Sequence, residues 1–131
     1  MMASFLHTML RVQNLDASIA FYRDLMGMHE LRRNQVIAGR YTLVFMGYAN
    51  NSEGQAEIEL TYNWDQKGPY ELGTAFGHLA VGVPDVAAAC DKVRAGGGRV
   101  VREAGPVQHG TTMIAFVEDP DHYKIELIQR Q

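Results

Sequence analysis

The chain has 131 residues, the size of one ordinary domain. Apolar residues make up 47% and charged residues 21%, a globular composition that excludes a disordered chain. Twelve Lys and Arg stand against fifteen Asp and Glu, and the net charge of −3 carries no footprint for nucleic acid or an anionic membrane. The single cysteine, Cys90, cannot form an internal disulfide, so a reducing compartment is expected. No apolar run is long enough to span a bilayer. The start, MMASFLHTML, lacks a basic n-region and meets Arg11 early, so a signal peptide is not expected. The expected location is cytoplasmic.

In chain order, the pattern predicts a strand near 5–12, a helix near 15–26, and strands near 29–33, 41–47 and 56–62. A second series follows: a strand near 77–83, a helix near 86–95, and strands near 99–103, 112–118 and 123–129. AGRY, GYANNSEGQ, WDQKGPYELG and GPVQHG carry Gly, Asn or Pro and read as loops. Residues 64–76 connect the two series.

The two series repeat one another. HTMLRVQNLDASIAFYRDLMG begins at His7, and HLAVGVPDVAAACDKVRAGGG begins at His78. Asn14 and Asp85 fall at the same offset from these histidines, each a good N-cap before a helical stretch. Gly27 and Gly96 suit helix termination. Each series also ends on the same tripeptide, Ile58-Glu59-Leu60 and Ile125-Glu126-Leu127. The expected class is α+β: two βαβββ modules, at about 5–63 and 76–129, within a single domain of 1–131.

Strand alternation sorts the polar groups. His7, Met9 and Arg11 share one face, and Thr8, Leu10 and Val12 the other. Glu59, Thr61 and Asn63 share a face, opposite Ile58, Leu60 and Tyr62. Each module thus presents one His and one Glu away from its apolar stripe. A lone His or Glu on a half-exposed strand is usually solvated. Recurrence in register adds a second reading, in which two imidazoles and two carboxylates converge on a divalent ion. The pattern alone leaves both open.

HTMLRV, IELTYNW, ELGTAFGH, REAGPVQHGTT, AFVEDPD and YKIELI together resemble the bacterial glyoxalase I family of the vicinal oxygen chelate superfamily, from about residue 5 to 129. The resemblance implies paired βαβββ modules around a metal held by His7, Glu59, His78 and Glu126. It implies a homodimer with two sites between chains, His7 and Glu59 from one chain and His78 and Glu126 from the other. The implied reaction isomerises the hemithioacetal of methylglyoxal and glutathione to S-lactoylglutathione. The metal would hold neighbouring substrate oxygens and stabilise an enediolate, with Glu126 as base and Glu59 able to share that work. Arg11, Asn63 and Arg102 match positions that hold glutathione, the co-substrate. The short chain lacks the helical insertions of zinc-using members, which points to Ni²⁺, with Co²⁺ possible and Zn²⁺ less apt to activate. No nucleic-acid or membrane partner is implied.

Some residues depart from the family pattern. His122 replaces the usual Gly in the DPDHY turn, at a cost of about 1 kcal/mol if that turn needs positive φ. Glu57 shares the face of Glu59 and is a rival ligand, left at the rim by the IEL register. The NQVIAG segment is more apolar than expected. His29 and His109 read as solvent-facing, His109 on a loop able to close over glutathione, and Cys90 as a small packed residue.

Other superfamily chemistries remain as alternatives: a dioxygenase, an epimerase, a thiol transferase or a lyase using trypanothione. A metal-free small-molecule binding dimer is the alternative of a different class. The fourth ligand, Glu59, argues against a two-His, one-Glu iron dioxygenase.

Overall fold

The computed structural model describes residues 2–130. The chain divides into two compact units between Tyr70 and Glu71, inside the connecting stretch expected at 64–76. The first unit holds β1 (His7–Arg11), α1 (Leu15–Ala20), β2 (His29–Val36), β3 (Tyr41–Gly47) and β4 (Glu57–Asn63). Its strands form one sheet in the order β1-β4-β3-β2, with β1 and β4 parallel and the other pairs antiparallel. The second unit holds β5 (Leu79–Val83), α2 (Val86–Ala95), β6 (Arg99–Pro106), β7 (Met113–Glu118) and β8 (Lys124–Gln129). Its sheet has the order β5-β8-β7-β6, with β5 and β8 parallel. Each unit is therefore a βαβββ module with the same strand order.

The two helices start by the same device. Asn14 Oδ1 accepts from the Ala17 amide at 3.0 Å, and Asp85 Oδ1 from the Ala88 amide at 3.0 Å. They end differently. The first widens into a π-helical turn over Phe21–Leu25, where the Met26 amide donates to Phe21 O at 3.2 Å. Gly27 then takes φ +76°. The second helix is capped by Gly96 at φ −84°, and the left-handed conformation falls to Gly97 at +82°. The expected terminator thus caps the helix, while its neighbour makes the turn.

Alternation builds each core. Leu10, Val12, Val44 and Leu60 are buried in the first unit with Ile19 and Tyr22. Val81, Val117, Ile125 and Leu127 are buried in the second with Val86 and Val93. Truncating one such residue to Ala costs about 2–5 kcal/mol. Burying this face of each sheet fixes its register, because a one-residue slip would invert every side chain. The opposite face is left to carry the polar groups.

Two strands run beyond their expected ends. β2 continues through Asn34, Gln35 and Val36, which pair with Leu43, Thr42 and Tyr41. NQVIAG is thus half strand and half hairpin turn, with Ile37 exposed at the tip and Arg40 at φ 56°. β6 continues to Pro106, with register shifts on both sides of Arg102. His122 does sit at φ 72°, the conformation that favours Gly. Its Nδ1 lies 3.1 Å from Glu118 Oε1 and 2.9 Å from Arg99, contacts that offset part of the backbone cost.

Candidate active site

Parallel register places one His–Glu pair on each sheet. In the first unit Met9 pairs with Glu59, so His7 lies two residues before that partner and on the same face. In the second, Ala80 pairs with Glu126, and His78 lies two residues before it. The same diagonal results twice. His7 Nε2 is 3.4 Å from Glu59 Oε2, and His78 Nε2 is 3.1 Å from Glu126 Oε1. The carboxylates are 15% and 17% exposed, so they are shielded yet reachable.

Sequence reasoning missed a third recurring residue. Phe45 on β3 stands opposite Glu59, and Phe116 on β7 stands opposite Glu126. Each meets its histidine edge to face, at 5.5 Å and 80° for His7 and 5.2 Å and 77° for His78. Such contacts hold a ring plane as well as burying area. The signal was present, since TLVF and MIAF align within the repeat.

The donor chemistry fits a divalent metal. An imidazole nitrogen and a carboxylate oxygen about 3 Å apart have the spacing of neighbouring ligands on an ion bound at about 2.1 Å. Each unit offers two such donors. Among the described residues, no three His, Cys, Asp or Glu side chains gather where they could hold one ion.

Glu57 is committed elsewhere. Arg32 grips it with two hydrogen bonds, at 2.6 and 3.2 Å, and Asn51 Nδ2 donates to it at 2.6 Å. The Arg32 hydrogen bond holds its carboxyl below the ordinary glutamate value, helped by Asn51. The same guanidinium lies 4.0 Å from the Phe45 ring centroid. Glu59 instead accepts from Thr61 Oγ1 at 3.2 Å.

The expected anchors fall along the same rows. Arg11 is exposed and pairs in register with Thr61, which places it beside Asn63 on the site face. Asn63 donates to the Tyr70 hydroxyl at 3.2 Å. Arg102 spends its guanidinium on the carbonyls of Glu103, Gly105, Ile114 and Pro106, at 2.8–3.1 Å. His29 and His109 are exposed, and Cys90 is buried, with its thiol pushed up by that burial. No helix among the described residues is long and apolar enough to cross a membrane.

Comparison with known proteins matches this geometry to a family. The model of the glyoxalase/bleomycin resistance protein/dioxygenase superfamily matches residues 4–127. A Vibrio parahaemolyticus protein named "Probable lactoylglutathione lyase" is 61% identical over 126 residues, covering 96% of this chain and 90% of the relative. A Haemophilus influenzae lactoylglutathione lyase is 59% identical over 126 residues, covering 96% and 92%. The crystal structure of glyoxalase I from Zea mays superposes with a TM-score of 0.90 at 41% identity. It covers 96% of this chain, and this chain spans 44% of the maize chain. The chain belongs to the glyoxalase/bleomycin resistance protein/dioxygenase superfamily, beside its lactoylglutathione lyases.

Proposed function

We propose that His7, Glu59, His78 and Glu126 form the metal centre of a lactoylglutathione lyase. The reaction isomerises the hemithioacetal of methylglyoxal and glutathione into the lactoyl thioester. The observation that carries the assignment is the twofold recurrence of one His–Glu diagonal, at 3.4 and 3.1 Å, each braced by a phenylalanine edge. A metal-free binding module has no use for two matched donor pairs. Two donors per unit make a four-ligand centre when His7 and Glu59 of one chain meet His78 and Glu126 of a second, which points to a homodimer.

The divalent metal supplies Lewis-acid polarisation of the substrate oxygens when bound. The chain's own residues handle the proton. A Glu126 carboxylate oxygen takes it from the carbon that bears sulfur and returns it to the adjacent carbon. Glu59 acts as a metal ligand. Arg11 and Asn63 anchor the glutathione part, one row further along the same face. Arg102, with most of its donors committed to carbonyls, contributes charge and shapes the β6–β7 hairpin. The short GYANNSEGQ loop before Glu59 favours nickel or cobalt over zinc as the activating ion. A cytoplasmic setting fits, since glutathione is the cytosolic thiol pool.

The test is reconstitution. Chelator-stripped protein receives nickel, cobalt or zinc, and thioester formation from premixed methylglyoxal and glutathione is followed. Nickel restores activity and zinc does not. Activity with zinc would break the metal assignment and keep the lyase. A bound metal with no activity would move the chain to another chemistry of the superfamily.

A further inference from the structure

The two modules differ at the residue that follows each proposed ligand glutamate by two. We infer that Thr61 is a positioning residue that fixes Glu59 as the stationary carboxylate of the centre. This rests on the metal reading proposed above. Thr61 lies on β4, on the same face as Glu59, and is 8% exposed. Its Oγ1 donates to Glu59 Oε1 at 3.2 Å, while the histidine contact falls on the other oxygen, Oε2. The two carboxylate oxygens thus have separate partners, and the Thr61 bond opposes rotation about the last side-chain bond. A buried hydroxyl that spends its donor on a carboxylate makes a charge-assisted bond, stronger than a neutral one.

The second module lacks this brace by composition. The residue two after Glu126 is Ile128, which has no donor to offer. Ile128 lies opposite Ile114 on β7 as Thr61 lies opposite Leu43 on β3, so the two places correspond in register. Glu126 therefore keeps the rotational freedom that a proton-carrying carboxylate needs, and Glu59 does not. A single hydroxyl separates a carboxylate that holds from one that moves. The four-residue runs IELT and IELI carry that difference in the sequence itself.

The test titrates the metal-free, full-length protein with nickel(II) in a calorimeter. Thr61→Val weakens nickel binding about ten-fold, the loss of one hydrogen bond to a charged group. Thr61→Ser retains the hydroxyl and binds as the parent does. Thr61→Val costs nothing further in a Glu59→Gln background, yet its cost adds in full to that of Glu126→Gln. A merely structural threonine would act alike in both backgrounds. Ile128→Thr supplies the reciprocal test if Thr61→Val fails to fold: it tightens nickel binding and lowers kcat. Unchanged affinity in folded Thr61→Val overturns the inference, as does full additivity with Glu59→Gln, or an Ile128→Thr variant that matches the parent in both readouts. A parent protein that binds no nickel overturns the metal reading itself, and the role of Thr61 with it.

Discussion

In the first module the position two residues before the proposed ligand glutamate holds Glu57, locked to Arg32 and Asn51, and the position two after holds Thr61. In the second module the same positions hold Lys124 and Ile128. Four residues beyond the histidine stands Arg11 in one module and Gly82 in the other. A Cβ on Gly82 would meet the Arg130 side chain at 3.2 Å, so that place is already covered. The helix N-cap, strand order, register, His–Glu diagonal and phenylalanine brace are shared. What differs is the ring of side chains around the donors. A duplicated scaffold thus yields one half whose proposed ligand glutamate accepts from Thr61 beside a charged network, and one half with isoleucine at that place.

That contrast is sharpest at the glutamates. Glu126→Gln lowers kcat by about 10²–10⁴-fold, the usual worth of a positioned base. Glu59→Gln instead weakens metal binding more than it lowers the turnover of metal-saturated protein. Steady-state kinetics beside nickel titration separates the two, and equal losses in both readouts would erase the distinction. A smaller effect is expected along the anchor row. Arg11→Ala and Asn63→Ala each raise KM for the hemithioacetal about ten-fold, as for one lost hydrogen bond involving a charged partner, with kcat little changed. Gly82→Ala, at the matching place in the second module, leaves KM near the parent value because Arg130 already covers it.

Much of the shared scaffold was legible in the sequence. The histidines, IEL tripeptides, Asn14 and Asp85 caps and strand alternation put His7 with Glu59, and His78 with Glu126, on one face of each sheet, where the structure has them. The β3 and α2 boundaries also fall where the pattern put them. The phenylalanine brace was not read, because an aromatic on an alternating strand looks like core until its cross-strand partner is known. The Arg32–Glu57 pair spans 25 residues, a separation that only sheet register closes. β2 was cut short because Asn34 and Gln35 are poor strand formers that pairing with β3 overrides. The π-helical turn leaves no separate periodic signature in five residues.

Two stability measurements test the modules' private features. His122→Gly unfolds at higher denaturant than His122→Ala by about 1 kcal/mol, since both lose the Glu118 contact but only Gly suits φ 72° without cost. Equal midpoints would show that the turn carries no strain. The smallest effect belongs to Glu57. Its folded pKa lies below the unfolded value, so its ion pair stabilises in full above the ordinary carboxyl range and fades as pH falls through the depressed value. Arg32 is 56% exposed, which holds the gain to under about 1 kcal/mol. Glu57→Gln therefore flattens the fall in unfolding midpoint between about pH 7 and about pH 3. An unchanged slope would remove that network from the account.

The central claim is that one working centre joins the braced half of one chain to the mobile half of another. Complementation tests it most directly. His7→Ala and His78→Ala are each inactive alone. The two variants are mixed under conditions that exchange subunits, then supplied with nickel. A mixed dimer rebuilds one intact site, His7 and Glu59 from one chain facing His78 and Glu126 from the other. The account predicts recovery to about a quarter of parental activity, for half the dimers carrying one of two sites. A mixture that exchanges subunits and stays inactive would contradict it.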